Sequence, residues 1–324
     1  MVDWLSQTRV CTHSFRVERR ASLATVSVSD PVLTITDDHI AAVERVIAAM
    51  RATPDIPFTL DQFAEIASFS PFHFARLFRQ VIGIPPGEFH TALRYERAKE
   101  LLITTDRSIT DICFEVGYDS LGTFSTRFKQ LVGIGPATFR ALPDVLETLD
   151  AADRRPMKRT PMLADASATV DGFFTNGHEL NGRWRAYVGL FPTSIARNRP
   201  VAGQRIDPSE PFTITNAPAG TYQVLSAIVP AEGSAVDRLL PAQTMRVATA
   251  GAPVEVSPGM ATGPVPLTIR QASPYDAPVL IALPALDFPT VNAASTIVRD
   301  AFAHLAPAFG HDRAMSHAAE LVAR

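Results

Sequence analysis

From Asp37 to Leu142 apolar residues recur at the three- and four-residue spacing of a buried helix face; beyond Asp171 they alternate with polar ones, as half-buried strands require. In the helical part, Leu60, Phe63, Ala64 and Ala67 share one face behind Thr59, a capping residue, with Gln62 placed to return the capping bond. Ser70 and Pro71 then predict a second helix, with serine as N-cap and proline in the first helical position, where its missing amide hydrogen costs nothing. Phe74, Leu77, Phe78 and Val81 make its buried stripe, and Gly83 permits the left-handed residue that ends it. Phe72, Arg76 and Arg79 project from the opposite side.

About fifty residues later the pattern returns. Ser108 caps a short helix whose apolar face is Ile109, Ile112, Cys113 and Val116, and Gly117 marks the turn. Ser120 caps the next helix, Phe124, Phe128 and Leu131 make its stripe, Gly133 closes it, and Gly122, Thr126 and Lys129 face outward. The second turn is one residue longer than the first. Between the copies, "PGEFHTALRYERAKELL" predicts a longer helix that spaces them rigidly. Two short helices joined by a tight turn form a helix-turn-helix, whose second helix can enter the major groove; two such units can address successive turns of one duplex face, about 34 Å apart.

Charge sharpens this reading. The chain carries a net charge of −3, and residues 37–142 hold 11 Lys and Arg against 13 Asp and Glu. Yet Ile66 to Gly87 and Ser120 to Pro143 contain no acid, and each window holds one copy of the repeat. A polyanion would meet Arg76 and Arg79 in the first window and Arg127, Lys129 and Arg140 in the second.

On the segments "SPFHFARLFRQVIGIPPGEF", "LRYERAKELL", "SITDICFEVGYDS" and "FSTRFKQLVGIGPATFR", residues 37–142 resemble the DNA-binding domain of the AraC family of transcription regulators. The resemblance implies base readout by Phe72, Ala75 and Arg76 in the first unit and by Gly122, Thr123 and Thr126 in the second. It implies phosphate or structural contacts by Ser70, Arg79, Ser120, Arg127, Lys129 and Arg94. Two departures stand out: arginine is displaced by one position, leaving Thr126 where the family usually has it, and Ser68 replaces the common turn glycine. The second unit is therefore expected to grip backbone more than it reads bases.

In the second half, "RWRAYVGLF" and "TYQVLSAIV" read as strands separated by Pro and Gly clusters, the texture of an antiparallel sandwich or barrel. Phe212 and Ile214, the turn "NAPAG" and the returning Tyr222, Val224 and Leu225 resemble the hairpin of carboxypeptidase regulatory-like, prealbumin-like β-sandwiches. Trp184, Tyr187, Phe191 and Tyr222 are the candidate pocket residues, against the plainer reading that strand aromatics are core.

The predicted architecture is multidomain α plus β: an all-α double helix-turn-helix domain, then an antiparallel β-sandwich, then carboxyl-terminal helices. Its boundaries are an irregular arm at 1–36, the DNA-binding domain at 37–142, a linker at 143–171, the sandwich at 172–290 and a helical segment at 291–324. The partners implied are double-stranded DNA and, as further candidates, a small-molecule effector, RNA polymerase and a second copy of the chain. No membrane partner, cofactor or metal is expected: no uncharged apolar stretch reaches a membrane-spanning length, and His304, His311 and His317 do not share one helix face. The amino terminus lacks the basic start and apolar block of a secretory signal, and two cysteines suit a reducing compartment, so a bacterial cytoplasmic protein is expected. The common nucleophile-elbow, zinc-protease and phosphate-loop motifs are missing, so a non-enzyme is expected. The alternatives are a carboxyl-terminal domain that only assembles the protein, or one that is an enzyme or carbohydrate-handling module.

Overall fold

The structure, a computed structural model, describes residues 34–152, 168–241 and 244–287. Among the described residues, seven helices come first: α1 (Asp37–Ala52), α2 (Leu60–Ala67), α3 (Pro71–Ile82), α4 (Pro86–Thr104), α5 (Ile109–Glu115), α6 (Leu121–Val132) and α7 (Pro136–Ala152). The predicted caps form. Thr59 and Gln62 close a reciprocal capping box on α2, Ser108 accepts from the Asp111 amide, and Ser120 accepts from the Thr123 amide. Ser70 occupies the N-cap of α3 without a side-chain capping bond.

Each helix-turn-helix has its own core. Phe63, Phe74, Phe78 and Phe89 join Val46, Ile47 and Met50 of α1 in the first, and Tyr95, Phe124, Phe128 and Phe139 gather in the second. Helix α4 supplies residues to both and so couples them. Helix α7 runs through Pro143, so the helical domain extends ten residues into the expected linker. Val145 and Leu146 explain this: both are buried, and Leu146 packs into the second core.

Among the described residues, the sheet-rich region has nine strands, β1 (Ala168–Phe174), β2 (Trp184–Phe191), β3 (Gly203–Ile206), β4 (Phe212–Ala217), β5 (Gly220–Pro230), β6 (Arg246–Thr249), β7 (Val254–Val256), β8 (Ala261–Leu267) and β9 (Arg270–Gln271), with α8 (Ala235–Leu239) after β5. They form a three-stranded sheet, β4-β1-β8, and a larger one ordered β3-β2-β5-β6-β9, with β7 also paired to β5. Val170, Phe212, Ile214 and Leu267 of the first sheet meet Val188, Leu190, Val224 and Ile228 of the second in a shared core.

Two expectations need correction. Strands β1 and β8 pair in parallel, although the other pairs are antiparallel. The stretch from Phe212 to Leu225 is not a hairpin but a corner between sheets: β4 pairs with β1, and β5 with β2, β6 and β7. Asn216 at φ +58° and the glycine at 220 turn the chain so that Ile214 and Val224 enter one core from opposite layers. A Cβ at Gly220 would lie 2.9 Å from the Tyr222 hydroxyl, so the tyrosine packs directly over the corner. The arm up to residue 33, linker residues 153–167 and the expected helical segment with its three histidines lie outside the described residues.

Candidate nucleic-acid interface

Helices α3 and α6 each bury one side and present the other. On α3, Phe74, Leu77 and Phe78 are buried whereas Arg76 and Arg79 are exposed, Ala75 is half-buried, and Phe72 stands 87% exposed. On α6, Phe124, Phe128 and Leu131 are buried whereas Gly122, Thr123, Thr126, Arg127 and Lys129 are exposed. Ser70 and Ser120 are exposed at the amino-terminal ends of the two helices, where free amide hydrogens favour anions. A solvent-facing phenylalanine beside two arginines offers apolar contact to a thymine methyl and guanidinium forks to guanine or phosphate.

The turns before these helices differ. Ser68 adopts φ +62°, a conformation that costs an L-residue about 1–2 kcal/mol, whereas Gly117 takes φ +79° in the second turn. Space adds to the constraint at Gly117: a Cβ there would run into the Asp55 carbonyl oxygen and lie 2.8 Å from Arg94 Nη2.

Two of the cations turn inward. Arg94 Nε donates to the Val116 carbonyl at 2.6 Å, its guanidinium lies 4.1 Å from the Tyr118 ring centre, and Nη2 is buried. It braces the second turn. Arg140 donates to the carbonyls of Leu102 and Arg107 and ties α7 to α4 and the loop after it. Local pattern does not distinguish these carbonyl braces from surface cations, because the two look alike in sequence.

Of the four pocket candidates, Tyr187 and Phe191 line a cavity of about 310 Å3 on the outer face of the larger sheet. Trp184 and Tyr222 do not; both pack against the core between the sheets. Trp184 also donates through Nε1 to the Asn181 carbonyl and lies beneath the Arg246 guanidinium.

The sheet-rich region docks onto the helices through residues that local patterning does not mark. Lys99 is only 4% exposed; its Nζ donates to the Val279 carbonyl at 3.1 Å, and burial lowers its pKa to about 8 against the opposing pull of Glu96. Arg51 donates to the carbonyls of Pro274 and Asp276, and Arg197 pairs with Glu88 at 3.2 Å. None of these contacts covers Phe72, Arg76 or Lys129, which remain exposed.

With this geometry in view, a family described as "Helix-turn-helix domain" matches residues 63–142. An uncharacterized HTH-type transcriptional regulator of Haemophilus influenzae is 35% identical over 94 residues, 29% of this chain and 32% of that protein. The HTH-type transcriptional activator AarP of Providencia stuartii is 34% identical over 82 residues, 25% of this chain and 61% of that protein. The bifunctional transcriptional activator/DNA repair enzyme AdaA of Bacillus subtilis is 38% identical over 90 residues, 28% of this chain and 43% of that protein. The chain thus spans less than two thirds of each of these relatives. A solved transcriptional regulator from Chromobacterium violaceum with an AraC-type DNA-binding domain is 28% identical and covers 33% of this chain and 95% of its own, with a TM-score of 0.31. Residues 63–142 thus match a helix-turn-helix domain family, and part of this region is similar to transcriptional regulators.

Proposed function

We propose that this chain is a bacterial, AraC-type transcription regulator that binds double-stranded DNA by placing α3 and α6 in successive major grooves. Base readout falls to Phe72, Ala75 and Arg76 on α3 and to Gly122, Thr123 and Thr126 on α6. Ser70, Arg79, Ser120, Arg127 and Lys129 hold phosphates. The observation that carries this reading is the pairing of a buried aromatic stripe with an exposed, acid-free cationic face on both helices of a repeated unit. With only small or hydroxylated readers on α6, specificity concentrates on α3, where an arginine fork on a guanine edge discriminates by about 1–3 kcal/mol.

The sheet-rich region is read as a β-sandwich that senses a small molecule rather than one that only assembles the protein. The cavity beside its docking face supports sensing. Selection of bound duplexes from a random pool tests the DNA-binding reading. A recovered motif with two half-sites about one helical turn apart is expected; recovery of unrelated sequences at every round would refute it.

A further inference from the structure

The outer face of the larger sheet carries an apolar row. Strand pairing aligns Tyr187 of β2 with Ala227 of β5, and Ala227 with Val247 of β6, and all three are buried. Alternation puts Phe191 and Leu225 on the same face, opposite the core between the sheets. These five side chains floor the cavity of about 310 Å3, and Ala227, the smallest, gives it depth at mid-row. Two segments roof it: the β2–β3 connection around residues 194–200, and a strap that follows β9, residues 276–286. The space equals about ten waters at roughly 30 Å3 each, room for a ligand of about ten to fifteen non-hydrogen atoms.

Three charged residues line this space, and the protein engages each of them. Asp276 accepts from Arg270 through two bonds of 2.6 Å and from the Ser273 amide at 2.8 Å. Arg199 donates through Nη2 to the Ala285 carbonyl and has a further partner, and Arg205 is likewise engaged. The neutral polar groups are partly spent as well. Gln204 Oε1 accepts from the Thr213 amide, and Ser226, alternating with Leu225 and Ala227, places its side chain on the other face of the sheet. Every lining charge, among the described residues, is thus committed to a protein partner, and the wall offers a ligand apolar side chains with the hydroxyls of Ser194 and Thr249. A carboxylate or ammonium entering here would shed its hydration without compensation.

The strap has two faces. Val279, Ile281 and Leu283 line the cavity, while Leu280 and Ala282, alternating with them, are buried in the second helix-turn-helix core with Phe128 and Val132. Its backbone is tied at both sides, with the Leu280 amide donating to the Ala196 carbonyl and the Ala282 amide to the Val132 carbonyl. The β2–β3 connection reaches both recognition helices. Ile195 is buried in the first core, a Cβ at Gly83 would touch Ser194 Oγ at 3.4 Å, and the Asn198 amide donates to the Leu131 carbonyl. A ligand that packs under Val279, Ile281 and Leu283 therefore bears on the same segments that hold the carboxyl-terminal ends of α3 and α6.

We propose that this cavity binds a compact, uncharged, largely apolar molecule on the Tyr187–Ala227–Val247 row and, resting on the regulator reading above, that the roof conveys occupancy to α3 and α6. Placing a negative charge on such a ligand should cost at least about tenfold in affinity, because no lining group is left to replace the water the charge gives up. Filling the floor should exclude the ligand altogether.

Calorimetric titration of the full chain at neutral pH with 4-phenylbutan-2-one and with 3-phenylpropanoate tests the site without DNA. The two probes have the same ring, chain and carbonyl and differ in a methyl group against a charged oxygen. Saturable one-site binding of the ketone, with a Kd of roughly 100 µM or below, and at least about tenfold weaker binding of the carboxylate are expected. Ala227→Phe should abolish ketone binding. Methyl resonances locate the probe without any substitution: those of Ala227, Val247 and Ile281 should shift on saturation while those of Val43 and Val46, in the first helical core, stay in place. No saturation by the ketone, ketone binding unchanged in a folded Ala227→Phe chain, or shifts confined to other methyls overturns the site. Carboxylate binding as tight as the ketone overturns the uncharged class. A second arm measures the affinity of the full chain for its selected duplex, with and without saturating ketone. A shift of at least about threefold is expected; ketone binding with no shift overturns the coupling alone. Failure to bind any duplex overturns the regulator reading and the coupling with it, and leaves the ligand site to stand or fall by calorimetry.

Discussion

The backbone amide of Asn198 donates to the carbonyl of Leu131 at 2.6 Å, so a loop of the sheet-rich region clips the last turn of α6 at its C-cap, Gly133. Helix ends leave their final carbonyls without intrahelical partners, and here one of them is satisfied from about seventy residues away in sequence. Asn198 achieves the contact at φ +58°. Asn198→Pro removes the donor and forbids that angle, since proline holds φ near −65°. Hydrogen exchange at the Gly133 amide, bonded to Lys129, should accelerate by about tenfold while amides of α1 keep their protection.

At the first turn, Ser68→Gly should raise stability by about 1 kcal/mol in urea denaturation, because the strain of φ +62° disappears. Gly117→Ala should do the opposite and lower it by about 2 kcal/mol or more, since the new Cβ meets a backbone carbonyl as well as an unfavourable φ. Equal effects at the two turns would mean that their geometries are not as described.

For DNA, Arg76→Ala and Lys129→Ala should separate. The first should cost about 1–3 kcal/mol on the selected duplex and relax preference at one base position. The second should weaken all duplexes alike and reduce the salt slope by about one. Fluorescence anisotropy titrations across several salt concentrations distinguish these outcomes.

His90 supplies a pH signature. It is buried edge-on to Phe58 and Phe63, and burial, helped by the charge of Arg94, lowers its pKa to about 4. The unfolded chain takes up this proton near pH 6.5 and the folded one does not. Stability from neutral His90 is therefore full above about pH 6.5 and declines as pH falls toward 4. His90→Phe should flatten that decline in urea denaturation measured across this range; an unchanged slope would place the titrating group elsewhere.

The helices, their caps and the outward residues of α3 and α6 were legible in the chain because each depends on neighbours within one or two turns. Thr59 with Gln62, or Phe74 with Phe78, are local pairs, and periodicity records them. The strands of the second half were legible for the same reason, as β2 and β5 show.

What local pattern did not decide was where chain segments meet. Arg94, expected to make phosphate or structural contacts, folds onto the Val116 carbonyl, and Pro143, expected to open a linker, is carried through by the burial of Val145 and Leu146. The run from Phe212 to Val224 is written as a hairpin, yet its halves belong to different sheets. The cavity is the extreme case: Lys99 and Val279 are 180 residues apart, and the alternating burial of the strap has meaning only once helices lie on one side and a sheet on the other. Sequence alone settled the repeated helices and their exposed faces through short-range propensity and burial period. Tertiary packing alone settled which cations face solvent and what roofs the cavity, because those outcomes depend on desolvation by distant segments.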